Sequence, residues 1–123
     1  MLAYLHGEVG ADQVEEALLS GTVMSAVNWA EVLSKLGELG ADPASVSKRL
    51  EREGLVGGSI EIINLTAADA VEIAGLQAIT RRRGLSLGDR ACLALGLRLK
   101  LPVITADRTW LGLRLAVPVK TIR

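Results

Sequence analysis

Glu31, Asp89 and Asp107 are the side chains of this sequence whose type and position suit them best for joint chemistry. Glu31 follows the short apolar run at 22–27 in the first turn of a helix, Asp89 lies in the first turn of a helix over 86–99, and Asp107 directly follows the run at 101–106. In an open α/β sheet, ligands bind beyond the carboxyl ends of the strands, where helices begin and backbone N–H groups point outward. Three carboxylates at that address, with no histidine or cysteine beside them, make an oxygen-only donor set. Such a set suits a hard divalent cation, Mg²⁺ or Mn²⁺, better than zinc or copper. Hard cations and phosphate go together.

Each acid also has a local explanation. Asn28 to Glu31 and Ser86 to Asp89 both read as a cap residue followed three positions later by an acid, and Asp107 fits the cap of a short turn at 108–110. Taken singly, capping and metal ligation explain each acid equally well. Taken together, three acids at one sheet edge favour a site, because capping requires no convergence. Arg90 and Arg108 each adjoin one of these acids and are candidate phosphate contacts. Ser25 and Thr105 fit either orientation of a ligand carboxylate or phosphate contact, or simply a small residue at a strand end.

Composition removes the competing chemistries. The 123 residues contain one cysteine, Cys92, and one histidine, His6, so neither a disulfide framework nor a His/Cys zinc site is available. Tyr4, Trp29 and Trp110 are the only aromatic residues, too few for a base-stacking platform. No apolar stretch approaches the roughly 20 residues of a membrane helix, and the opening MLAYLHGEVG lacks the pattern of a signal peptide. A reduced, cytoplasmic protein is the expectation. The formal net charge is zero, yet residues 1–80 carry four basic and twelve acidic side chains, and residues 81–123 carry ten basic and two acidic ones. That asymmetry, which includes the run Arg81, Arg82, Arg83, points to a polyanion or acidic partner near the C-terminal half.

The elements that must position the acids alternate. A helix over 11–19 ends at Gly21, a buried strand covers 22–27, and a helix from Asn28 to about Leu39 carries Trp29, Val32, Leu33 and Leu36 on its apolar side. A polar helix over 45–53 and a β-branched strand over 59–65 follow. Thr66 with Asp69 opens a helix to about Arg83, with Ala67, Ala70, Val71, Ala74 and Ile79 available for burial. The helix after Ser86 is apolar nearly all round and therefore central, and strands cover 101–106 and 117–122. The reading is one α/β domain over 1–123, a parallel sheet with helices on both faces. Its first element is already a helix, whereas a doubly wound sheet begins with a central strand, so the first central strand is missing.

The segments MSAVNWAEVL around Glu31, GLSLGDRACLALGLRL around Asp89, LPVITADRTW around Asp107, the terminal VPVKTIR and, more loosely, AYLHGEVG near the start resemble PIN-domain proteins, in particular bacterial toxin ribonucleases of VapC type. The resemblance implies a PIN-like three-layer sheet and makes Glu31, Asp89 and Asp107 three members of the family's acidic metal-binding quartet. It implies a Mg²⁺- or Mn²⁺-dependent endoribonuclease that acts on RNA, forms a homodimer and is inhibited by a cognate antitoxin. The family's remaining acid is an Asp at the end of the first strand. On this resemblance the chain is an N-terminally truncated PIN-like domain, through a start assigned too far downstream or a shortened gene copy, with impaired activity. The alternative is an inactive PIN-like interaction protein that binds an antitoxin or a dimer partner.

Overall fold

Residues 11–105 and 107–121 are described by the computed structural model. Tyr4, His6 and the AYLHGEVG segment lie outside the described residues. Chain contacts divide the sequence into a unit of residues 1–64 and a unit of residues 65–123.

In the first unit, α1 (Ala11–Ser20) leads into β1 (Thr22–Ser25), which pairs in parallel with β2 (Ile60–Ile63) from Thr22 opposite Ile60 to Ser25 opposite Ile63. Between the strands run α2 (Ala26–Glu38) and α3 (Pro43–Arg52), the helical crossover that a parallel pair requires. Trp29 and Val32 on α2 and Val46 and Leu50 on α3 bury their side chains in one cluster, at the three- and four-residue spacings of single helix faces. The expected strand to residue 27 stops at Ser25, and Asn28 is not the helix cap. Ser25 takes that role because its hydroxyl accepts the Asn28 N–H at 3.0 Å, so the helix starts at Ala26 with Asn28 already inside it. The next helix likewise starts two residues before its expected position, at Pro43. Asp42 caps it, and proline suits a first-turn position where no N–H partner is required.

The second unit contains α4 (Ala67–Gly75), α5 (Gln77–Thr80), a 3-10 turn (Arg81–Arg83), α6 (Leu87–Leu99), β3 (Val103–Thr105), a second 3-10 turn (Arg108–Trp110) and β4 (Val119–Thr121). β3 and β4 are parallel, from Val103 opposite Val119 to Thr105 opposite Thr121. Among the described residues each sheet has two strands, and strand–helix alternation with parallel pairing gives the α/β class. The capping boxes at Thr66/Asp69 and Ser86/Asp89 form as their sequences imply.

The expected single helix over 66–83 is broken at Leu76, and its buried side is different from the expected one. Val71 is 74 % exposed and Ile79 52 %, while Asp69, Ile73, Leu76 and Thr80 are buried. Those four positions follow a stripe of four-, three- and four-residue steps. The stripe includes an acid because Asp69, 3 % exposed, receives the Arg98 guanidinium from α6 at 2.8 Å as well as the Thr66 N–H. α6 is central, as its composition implies, with Ala91, Leu93 and Ala94 at or near zero exposure. A Cβ at Gly96 would collide with the Val103 side chain, so glycine is what lets α6 and β3 approach this closely. Among the described residues no helix is long and apolar enough to cross a membrane.

Candidate functional site

Two of the three acids sit in the second unit and are brought to one end of it by the chain reversal between α6 and β3. From Asp89 to Leu99 the helix rises about 15 Å, and from Leu101 to Thr105 the extended chain returns about 13 Å. Lys100 turns in the left-handed conformation, and the Leu101 N–H bonds back to the Gly96 carbonyl at 3.0 Å. Trp110, three residues past Asp107, then joins the buried cluster that contains Ala91, two residues past Asp89. Both Asp89 and Asp107 therefore lie toward the N-terminal end of α6.

Backbone N–H groups hold both carboxylates. Asp89 Oδ2 accepts the Ser86 N–H at 2.9 Å, and the Asp89 N–H donates to Ser86 Oγ at 3.1 Å. Asp107 Oδ1 accepts the Thr109 hydroxyl at 2.7 Å and the Thr109 N–H at 2.9 Å, while the Asp107 N–H donates to Thr105 Oγ1 at 3.0 Å. The Thr109 hydroxyl, and after it the Thr109 N–H, hold the exposed Asp107 carboxyl below its ordinary value; the Trp110 indole adds a smaller effect in the same direction. The capping roles open to Asp89 and Asp107 are thus real. They occupy Oδ2 of Asp89 and Oδ1 of Asp107, and among the described residues no hydrogen bond is made by the other oxygen of either.

Glu31 belongs to the first unit and is held by side chains. Ser25 Oγ donates to Asn28 Oδ1 at 2.5 Å, and Asn28 Nδ2 donates to Glu31 Oε1 at 3.0 Å. Glu31 lies one turn beyond its expected place, because the helix that carries it starts at Ala26. Ser25, 1 % exposed, is the cap and the anchor of this relay. Thr105 supports the next turn differently, its Oγ1 accepting the Asp107 N–H while Asp107 is itself the cap. Among the described residues no group of three or more His, Cys, Asp or Glu side chains takes up metal-holding geometry.

The arginines divide by role. Arg90 turns inward, with Nη1 donating to the Ile73 carbonyl at 2.9 Å, whereas Arg108 is exposed. Arg90 Nε and Trp110 Nε1 are buried without a hydrogen-bond partner among the described residues. Arg83, noticed in the sequence only as part of a basic run, spans 26 residues to reach the turn after Asp107, and no local pattern announces a contact of that range.

The donors fit a hard divalent cation on chemistry. They are carboxylate oxygens, Asp107 is kept ionised, and Mg²⁺ characteristically takes one or two carboxylates and completes its shell with water and substrate phosphate. No curated protein and no solved structure matches the chain. A family model described as PIN domain matches residues 1–113, a span that includes Glu31, Asp89 and Asp107 and runs through both units. PIN domains are in general nucleases that require a divalent metal. The α/β alternation, the acids behind the strand ends and a match over most of the sequence agree: this chain belongs to the PIN-domain family.

Proposed function

We propose that the protein is a Mg²⁺- or Mn²⁺-dependent endoribonuclease of VapC toxin type, in which Asp89 and Asp107 are the metal ligands and Glu31 positions the metal or the attacking water. The observation that carries this reading is the pair of capped aspartates at one end of the second unit, each with one oxygen outside its cap. Glu31 enters on its match to the family pattern alone. A hard divalent cation, when bound, supplies Lewis-acid polarisation of the phosphodiester and a water of lowered pKa.

The chain's own groups do the rest. The Thr109 donors keep Asp107 anionic and fix the direction in which its second oxygen points. Asp89 is fixed in the same manner by the first turn of α6, and neither carboxylate has to be reorganised on binding. Arg108 and the basic residues of the C-terminal half contact the RNA backbone, which makes binding weaken as salt rises. A cognate antitoxin and a second copy of the chain are the proposed protein partners, and the cytoplasm is the proposed compartment.

Cleavage of a mixed RNA substrate tests the reading. It is expected to disappear with EDTA, return with Mg²⁺ or Mn²⁺, and fall at least about a hundredfold in Asp89→Asn and Asp107→Asn. Cleavage that persists unchanged in both variants would remove it. The second reading, an inactive PIN-like protein that binds an antitoxin or another copy, is favoured by the exposure of Val71 and Ile79 on α4 and α5. It predicts no cleavage with any divalent metal, beside a dimer in sedimentation that Val71→Asp dissociates.

A further inference from the structure

The run Arg81, Arg82, Arg83 reads in the sequence as one basic patch, but Arg83 is used differently. Its Nη1 donates to the Thr109 carbonyl at 2.9 Å and to the Leu111 carbonyl at 3.0 Å. Thr109 is the residue whose N–H and hydroxyl both donate to Asp107 Oδ1. One guanidinium nitrogen therefore grips the peptide unit behind Thr109 while the front of the same residue holds the carboxylate. Gly112 follows directly after the second of these acceptors. Its φ of 86° lies in the left-handed region, where a side chain is strained, and a Cβ there would stand in ordinary contact with Arg83 Nη2 at 3.5 Å.

We propose that Arg83 is a positioning residue for Asp107, acting through Thr109 to set the orientation of the carboxylate toward a divalent cation. The inference rests on the metal-ligand role proposed above for Asp107. A carbonyl pair is well suited to an arginine in this task, because the planar guanidinium is pre-organised and loses little freedom for each hydrogen bond formed. Groups that orient a metal ligand without touching the metal contribute roughly ten- to a hundredfold in metal affinity. Arg81 and Arg82 are exposed.

The test uses the full chain with Arg83→Met, Arg83→Lys and, as a control from the same run, Arg81→Met. Hydrogen exchange of the Thr109 amide is followed by NMR in metal-free protein, Mn²⁺ affinity is measured by paramagnetic resonance, and Tm is recorded for each variant. Arg83→Met is expected to speed exchange at Thr109 about tenfold or more and to weaken Mn²⁺ binding about tenfold. Arg83→Lys is expected to recover part of both, and Arg81→Met to change neither. Unaltered Thr109 exchange in a folded Arg83→Met protein, or equal effects of Arg81→Met, would overturn the positioning role. If Arg83→Met fails to fold, Arg83→Lys decides, since it retains the charge but not the planar fork. Wild-type protein that binds no Mn²⁺ while Thr109 exchange still responds to Arg83 overturns the metal role of Asp107 and, with it, this use of the clamp.

Discussion

β1 and β3 both end in a hydroxyl residue and both lead to an acid, yet they hold that acid by different means. After Ser25 the chain enters a helix at once, and Glu31 is tethered through Asn28 by a relay of side chains. After Thr105 it makes a tight turn, and Asp107 is tethered by a backbone N–H, a hydroxyl and, at one remove, Arg83. A carboxylate anchored on backbone amides moves only if its turn opens. One anchored on an amide side chain is released by a single substitution. The difference separates an acid fixed before any ligand arrives from one that is directed by a replaceable neighbour.

Five substitutions break or sharpen that contrast. The largest effect is expected from Leu93→Ala, which empties a fully buried position of α6 beneath the acid-bearing end of the second unit; it should cost about 3 kcal/mol in urea unfolding. Asp69→Ala comes next, at about 2 kcal/mol, because it strips the Arg98 guanidinium and the Thr66 N–H of their shared acceptor. Arg98, at 32 % exposure, regains water and keeps the loss below that of a sealed ion pair. Ser25→Ala should cost about 1 kcal/mol through the lost cap. Its sharper consequence is that the Asn28 side-chain amide loses its NMR protection and Glu31 its tether, whereas the Asp107 turn is unchanged.

The smallest effect concerns pH. Because Asp107 has its folded pKa lowered, its contribution to stability is present above the ordinary carboxylate value of 3.8 and is lost only as pH falls through the lower folded value. Carboxyl NMR should therefore show Asp107 titrating below 3.8. Thr109→Val, which removes the hydroxyl and keeps the N–H, should move that titration back toward 3.8 with little change in Tm. Asp42, the exposed cap of α3, is lowered by the Ser45 hydroxyl and N–H in the same manner and should shift upward in Ser45→Ala but not in Thr109→Val. A common response of both aspartates to one substitution would show that the two caps are not local.

Much of this arrangement is written in the sequence. The capping boxes at Thr66/Asp69 and Ser86/Asp89, the Asp107 cap, the central character of α6 and the parallel pairing of β1 with β2 across two helices all follow from signals that span a few residues or one element. Between two adjacent signals of equal strength the sequence is silent. Ser25 prevails over Asn28 as a cap because the chain leaves β1 at that residue, and no propensity distinguishes them.

What only the tertiary structure decided are the contacts that cross elements. Local periodicity offers Val71 and Ile79 to a core, and the packing of α4 on α6 buries Ile73 and Leu76 instead, with Asp69 admitted beside them by an arginine 29 residues away. The same holds for Arg83, whose partners lie 26 and 28 residues ahead. Caps and hydrophobic stripes are short-range consequences of helix geometry, so residue order fixes them. Which guanidinium meets which carbonyl depends on where the folded chain brings them, and order alone does not carry that distance.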